Sequence, residues 1–151
     1  MLAYDYENLS TLIDATARAL KADLAAAGIG SDDNKHVTVL AHSMGGLVSR
    51  WMIEKEGGSA FIDHLVMCGT PNAGSPFGDI GKARKVLLAL MGLGANFGIT
   101  LPVCGSIAAA LSASASITPT LEQMAPGSEF IAALNGSPPP TTRYSILAGN
   151  I

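Results

Sequence analysis

Apolar residues recur along this chain with two different spacings. Leu9, Leu12, Ile13, Ala17, Leu20 and Leu24 fall three and four apart, the period of one helical face. Thr11 and Asp14 predict a capping box at the start of that helix, and Gly28 predicts its stop. Ahead of it, "MLAYDY" alternates Leu2, Tyr4 and Tyr6 with Ala3 and Asp5, which predicts the end of a strand. After the polar turn "GSDDNK", the run "HVTVLA" carries Val37, Val39 and Leu40 and predicts a short strand buried on both faces. A second helix is predicted from Met44 to about Glu56. Its apolar stripe is Leu47, Val48, Trp51 and Met52, and Gly57 and Gly58 end it. "HLVMCG" predicts another buried strand, running into the loop "TPNAGSPFG". Strands alternating with helices through short connections predict an α/β fold: a mostly parallel sheet in a three-layer αβα arrangement.

The pattern changes after residue 81. Residues 82–140 are rich in Ala, Gly, Leu and Ser, and nothing repeats at a fixed period. A lid-like helical insertion over the sheet is the main expectation here. The alternative is a membrane hairpin, opposed by Pro102, Asn96 and the many small residues that break up the apolar run. "EQMAPGSEFIAALN" predicts a turn and a short helix, and "YSILAGN" in the final stretch, 141–151, predicts a return strand. The 151 residues thus suit one domain, with 1–81 as the sheet core.

Composition narrows the chemistry. Hydrophobic residues make up 48% and charged residues 14%, so a packed core is expected. A net charge of −3 with no basic run gives no nucleic-acid footprint. Cys68 and Cys104 lie in apolar surroundings without CxxC spacing and read as buried free thiols rather than a disulfide or metal pair. Three His without a His/Cys cluster predict no metal site, and nothing in the chain calls for a cofactor. Met1 is followed by neither a basic nor an apolar leader region, which favours the cytoplasm if the chain starts there.

The candidate chemistry sits at "AHSMGG". A strand stops, Ser43 stands on the corner, and a helix begins at once. A serine hydroxyl needs a base to take its proton and donors to hold the oxyanion it creates. A sharp strand-to-helix turn serves the second need. It lifts Oγ above the sheet edge, aims the next backbone N–H at the same spot, and adds the positive end of a helix. Such a turn wants small residues two before and two after the serine, here Ala41 and Gly45, with Gly46 allowing close approach of the helix. The plainer alternative is that Ser43 is only a helix N-cap.

"AHSMGGLVSRW", "GTPNAGSP" and "APGSEFIAALN" together resemble the α/β-hydrolase fold. Within it they resemble a lipase-like group that includes bacterial triacylglycerol lipases and relatives of GPI inositol-deacylases and lecithin–cholesterol acyltransferases. The resemblance implies Ser43 as nucleophile and the Met44 N–H as an oxyanion donor, with Ala41, His42, Gly45 and Gly46 supporting the elbow. The implied substrate is a carboxylic ester, with a lipid or other small-molecule acyl group. A membrane surface would be met only through 82–118.

The same resemblance places an acid after a later strand and a His near the end. His36 and His64 start strands, at the sheet edge opposite Ser43, and the side chain of His42 is expected to point away from Oγ. Asp63 and Asp79 read as structural or surface residues. The family's sheet order would also put a strand ahead of Met1 between "LAYDY" and "VTVLA". The chain therefore reads as the central piece of a serine hydrolase. Without base and acid its activity is expected to be about a millionfold below that of a complete enzyme. The alternative function is a non-catalytic α/β-hydrolase-like interaction module.

Overall fold

The computed structural model describes residues 1–6, 11–30, 36–75 and 119–148. Three parallel strands form one sheet in the order β1-β2-β3: β1 Thr38–His42, β2 His64–Cys68 and β3 Arg143–Leu147. Among the described residues the helices are α1 Ile13–Ala26, α2 Met44–Glu54, α3 Pro119–Gln123 and α4 Glu129–Asn135, with one 3-10 turn at Gly58–Ala60. The register is simple. Thr38, His64 and Arg143 form the first row across the sheet, and His42, Cys68 and Leu147 form the last. The predicted α/β arrangement and its parallel strands are present.

The core lies on one face of the sheet. Ala41, Leu65 and Met67 point into it from the strands. Leu47, Val48, Met52 and Ile53 meet them from α2, at the i, i+1, i+5, i+6 positions that keep one helical stripe inward. Ile13, Ala17 and Leu20 of α1 complete one side, and Phe130, Ile131 and Leu134 of α4 the other. The far end of the stretch read as an insertion, 119–135, thus contributes α4 to the main core. Trp51 stacks on Phe130 with centroids 4.7 Å apart, joining α2 to α4. The opposite face of the sheet differs from the expectation of strands buried twice. Among the described residues no helix covers it, and Leu40 is 74% exposed.

Two further expectations are corrected at the N-terminal end. Residues 1–6 form no strand. Among the described residues β1 pairs only with β2, so no partner lies beside "LAYDY" to supply a hydrogen-bonded ladder. Tyr4 and Tyr6 instead stack, centroids 5.5 Å apart, and pack against the core. The Thr11/Asp14 capping box does not form either. Leu12 holds the cap position of α1 without any side-chain cap. The Ile13 N–H donates to Gln123 Oε1 at 2.6 Å, and Gln123 Nε2 donates to Asp14 Oδ1 at 2.9 Å. A side chain 110 residues away caps this helix. Its end follows expectation: Gly28, at φ 72°, donates to Ala25 O while Ile29 N–H reaches Leu24 O, a Schellman closure. The second helix stops slightly early, with Lys55 as its C-cap before Gly57 at φ 76°.

Candidate active site

Ser43 is the one non-glycine residue with positive φ among the described residues, at φ 52° and ψ −128°. A side-chain-bearing residue in that region carries backbone strain of about 1–3 kcal/mol. The turn is pinned from both sides: Ser43 N–H donates to Cys68 O at 2.9 Å, and Gly46 N–H to Ser43 O at 3.1 Å. Ser43 occupies the N-cap position of α2, yet its hydroxyl caps nothing. The plainer N-cap reading therefore lacks its hydrogen bond. The side chain is exposed. The Met44 and Gly45 N–H groups at the helix start have no acceptor among the described residues.

The residues around the corner divide the work unequally. A Cβ on Gly45 would meet only Tyr6 Oη at 3.4 Å and Ala41 Cβ at 4.0 Å, both ordinary contacts. A Cβ on Gly46 would stand 2.6 Å from Thr70 Cγ2. The close approach that glycine permits at 46 is to the "GTP" loop after β2. Ser43, Gly46 and Arg50 form one stripe of α2, at i, i+3 and i+7, and that loop runs along it. Thr70 meets Gly46, and Asn72 meets Arg50, whose Nη1 donates to Asn72 Oδ1 at 3.0 Å.

Arg50 was not among the residues singled out in the sequence, and it organises this side of the site. It is buried, and it also donates to Asn135 Oδ1 at 3.1 Å, Leu134 O at 3.3 Å and Glu54 Oε1 at 2.8 Å. Tyr144 of β3 donates to the same Glu54 oxygen at 2.9 Å. Asn135 Nδ2 returns a bond to Asn72 O at 2.9 Å. One satisfied network thus fixes α2, α4, β3 and the loop behind the nucleophile. The sequence signal for it was a charged residue on the Ser43 stripe of α2, four residues before Glu54. Farther along, Ser75 N–H donates to Met124 O at 2.8 Å, and a Cβ on Gly74 would meet the Pro126 backbone at 2.6 Å.

No histidine among the described residues partners Ser43. His42 is exposed in the last row of the sheet. His36 lies 3.5 Å from Asp63, whose carboxylate also takes the Val37 N–H at 2.7 Å, so Asp63 is a strand-entry acceptor. His64 does pair with a serine: its Nε2 is 2.9 Å from Ser145 Oγ. That pair has the wrong polarity for a nucleophile and its base. Arg143 Nη2, which can only donate, faces His64 Nδ1 at 3.2 Å. Nδ1 then accepts, and Nε2–H points its proton at Ser145. The pair also begins at the first row of the sheet, about 13 Å along the strand from the last row. Cys68 is a half-buried free thiol. Asp79, Cys104 and the 82–118 segment lie outside the described residues. Among the described residues no His/Cys/Asp/Glu group could hold a metal, and no helix is long and apolar enough to cross a membrane.

The chain matches a domain of unknown function, DUF7379, over residues 1–151. It belongs to the DUF7379 family. No match to a curated protein is found. Solved structures similar to this DUF7379 chain include the mature form of Bacillus licheniformis lipase BlEst2, at 17% identity and a TM-score of 0.57, covering 97% of this chain and 51% of that one. Phospholipase PlaB from Legionella pneumophila aligns at 18% identity and a TM-score of 0.66, covering 96% of this chain and 30% of that one. The DUF7379 chain spans about half the length of the first and less than a third of the second. At these identities the likeness establishes the α/β fold found in lipases.

Proposed function

We propose that this domain carries the nucleophile of a lipase- or esterase-type serine hydrolase, with Ser43 attacking a carboxylic ester. The observation that carries the reading is the strained Ser43 corner itself. A positive-φ serine follows β1 with its hydroxyl exposed and capping no helix N–H, and the Met44 N–H beside it has no acceptor among the described residues. Strain of this kind persists where surrounding structure enforces it, and here the Cys68 carbonyl and the Gly46–Thr70 packing do so.

In this reading Ser43 Oγ adds to the ester carbonyl carbon as its proton passes to an imidazole base. The carbonyl π electrons move onto oxygen, which takes the Met44 N–H. Collapse of that intermediate breaks the C–O bond, and the departing alkoxide leaves as alcohol with the proton from the base. Water then cleaves the acyl-enzyme by the same steps. Ala41, His42, Gly45 and Gly46 have supporting places at the elbow. The likeness to a lipase and a phospholipase favours a lipid ester as substrate.

The test uses a fluorophosphonate probe on the full-length protein. Labelling at Ser43, abolished in Ser43→Ala, supports the reading. Labelling that persists in the variant moves the nucleophile elsewhere, and a folded protein that is never labelled overturns it.

A further inference from the structure

We propose that Asn72 is a positioning residue for Ser43: it holds the turn after β2 against the first turn of α2, and so fixes where the serine hydroxyl stands. The proposal rests on Ser43 being the nucleophile, and it assigns a part in the reaction to a residue outside the elbow.

The segment from Cys68 to Asn72 reaches the Ser43 corner twice. Cys68 O accepts the Ser43 N–H at 2.9 Å. Farther along, the Thr70 side chain fills the space where Gly46 lacks a Cβ, and the Gly46 N–H donates to Ser43 O at 3.1 Å. The peptide groups on both sides of Ser43 are therefore held by this segment, one directly and the other through Gly46. Their orientation is what sets the positive φ of the serine.

The far end of the segment is held at Asn72. Its N–H donates to Thr70 O at 2.9 Å, which closes a tight turn around Pro71. The proline ring fixes φ at about −65°, close to what such a turn needs, so Thr70 and Asn72 move as one piece. The Asn72 side chain accepts from Arg50 Nη1 at 3.0 Å, and its carbonyl accepts from Asn135 Nδ2 at 2.9 Å. Arg50 stands on α2, the helix that Ser43 begins. One segment thus grips that helix at Gly46 and again at Arg50.

Two unfavourable features meet where this grip acts. Ser43 has a backbone conformation that side-chain-bearing residues rarely adopt, and Thr70 Oγ1 is buried without a hydrogen-bond partner among the described residues. Withdrawal of Thr70 from Gly46 would relieve both, by bringing the hydroxyl to water and freeing the Ser43 turn. The bonds to Asn72 oppose that withdrawal.

The experiment compares the unmutated full-length protein with Asn72→Ala and Asn72→Asp. A p-nitrophenyl ester measures turnover, a fluorophosphonate measures the rate and the stoichiometry of Ser43 labelling, and thermal melting is the folding control. Asn72→Ala removes the side-chain acceptor, while Arg50 Nη1 keeps Asn135 Oδ1 at 3.1 Å. It is expected to lower kcat about ten- to a hundredfold with KM within about twofold, and to slow labelling in proportion while every site is labelled in the end. Asn72→Asp keeps an acceptor for Arg50 and is expected to restore most of the turnover and of the labelling rate. A purely structural role has a different signature, a smaller fraction of labelled sites each reacting at the unmutated rate, and that result overturns the proposal. So does an Asn72→Ala protein with kcat within about twofold of the unmutated value, a rise in KM alone, or an Asn72→Asp protein no faster than Asn72→Ala. If Asn72→Ala does not fold, Asn135→Ala, at an exposed position, decides in its place. A fall in kcat per labelled site beyond about twofold then supports the proposal, and a smaller change overturns it. Absence of labelling in the folded, unmutated protein overturns the reading of Ser43 and this one together.

Discussion

Gly46 and Thr70 pack backbone against side chain at the first turn of α2. A Cβ on the glycine would stand 2.6 Å from Thr70 Cγ2 and 2.7 Å from its Cβ, distances that real atoms do not adopt. Thr70 sits at the start of a loop whose Asn72 is held by Arg50, so it has little room to retreat. Gly46→Ala is therefore expected to cost about 1–3 kcal/mol through overpacking and to displace the Ser43 turn. Gly45→Ala, with only ordinary contacts, is expected to melt at or above the unmutated temperature, since alanine favours the helix by about 0.8–1 kcal/mol over glycine. Circular-dichroism melting of the two variants separates these outcomes. Equal losses would show that the two glycines carry the same constraint.

Arg50 and Glu54 form a buried ion pair at 2.8 Å, with side chains 10% and 1% exposed. Removing one partner of such a pair leaves the other charge without compensation and costs about 3–5 kcal/mol. Arg50→Met is expected to lose that much, and Arg50→Lys to be poorly tolerated, because one ammonium cannot reproduce the planar fork that reaches Glu54, Asn72, Asn135 and Leu134 O. Arg50→Met combined with Glu54→Leu is expected to recover part of the loss. Urea unfolding of the three proteins provides the check, and a double variant no better than Arg50→Met alone would show that Glu54 is not the group left stranded.

The sequence made β2 and α2 legible because their apolar periods coincide with burial, whereas the apolar runs of β1 and β3 leave Leu40, Ile146 and Leu147 exposed. Bonds made across the chain were not legible. The Thr11/Asp14 spacing suggested a local cap, while the actual acceptor for Ile13 is Gln123 on α3. "MLAYDY" alternates like a strand, but a strand also needs a partner, and alternation carries no information about one. Nothing in the spacing singled out Arg50, and only the arrival of α4 and the Asn72 loop makes it a hub.

Gln123 joins the start of α1 to the segment that precedes α4, and Thr120 Oγ1 adds a bond to Thr11 O at 2.7 Å. Gln123→Ala removes the acceptor for an otherwise orphaned helix N–H and is expected to cost about 1 kcal/mol, the usual worth of an N-cap. The same variant releases Asp14. Burial pushes the Asp14 carboxyl up, but hydrogen bonds from Gln123 and Arg18 outweigh this and hold it below the usual carboxylate value. A lowered pKa gives stability that is present above the unfolded value, near 4, and is lost as pH falls through the folded one. Gln123→Ala is therefore expected to flatten the acid limb of a stability-against-pH curve. An unchanged acid limb would assign the shift to Arg18 alone.

The alkaline limb is set by tyrosines. Burial, and next the charge of Glu54, hold the Tyr144 hydroxyl well above the usual phenol range, and burial also raises Tyr6 and Tyr4. Unfolded tyrosine ionises near pH 10, before its folded counterpart, so deprotonation favours the unfolded chain first. The stability these groups contribute is complete below about pH 10 and is lost as pH rises through the folded values. Tyr144→Phe removes one hydrogen bond and is expected to cost about 1 kcal/mol at pH 7. It is also expected to make the decline between about pH 9 and pH 11 shallower, because the most strongly shifted phenol is gone. Urea midpoints of the two proteins across that range measure the difference directly. Parallel declines would mean that the alkaline loss arises from groups other than the Tyr144–Glu54 pair.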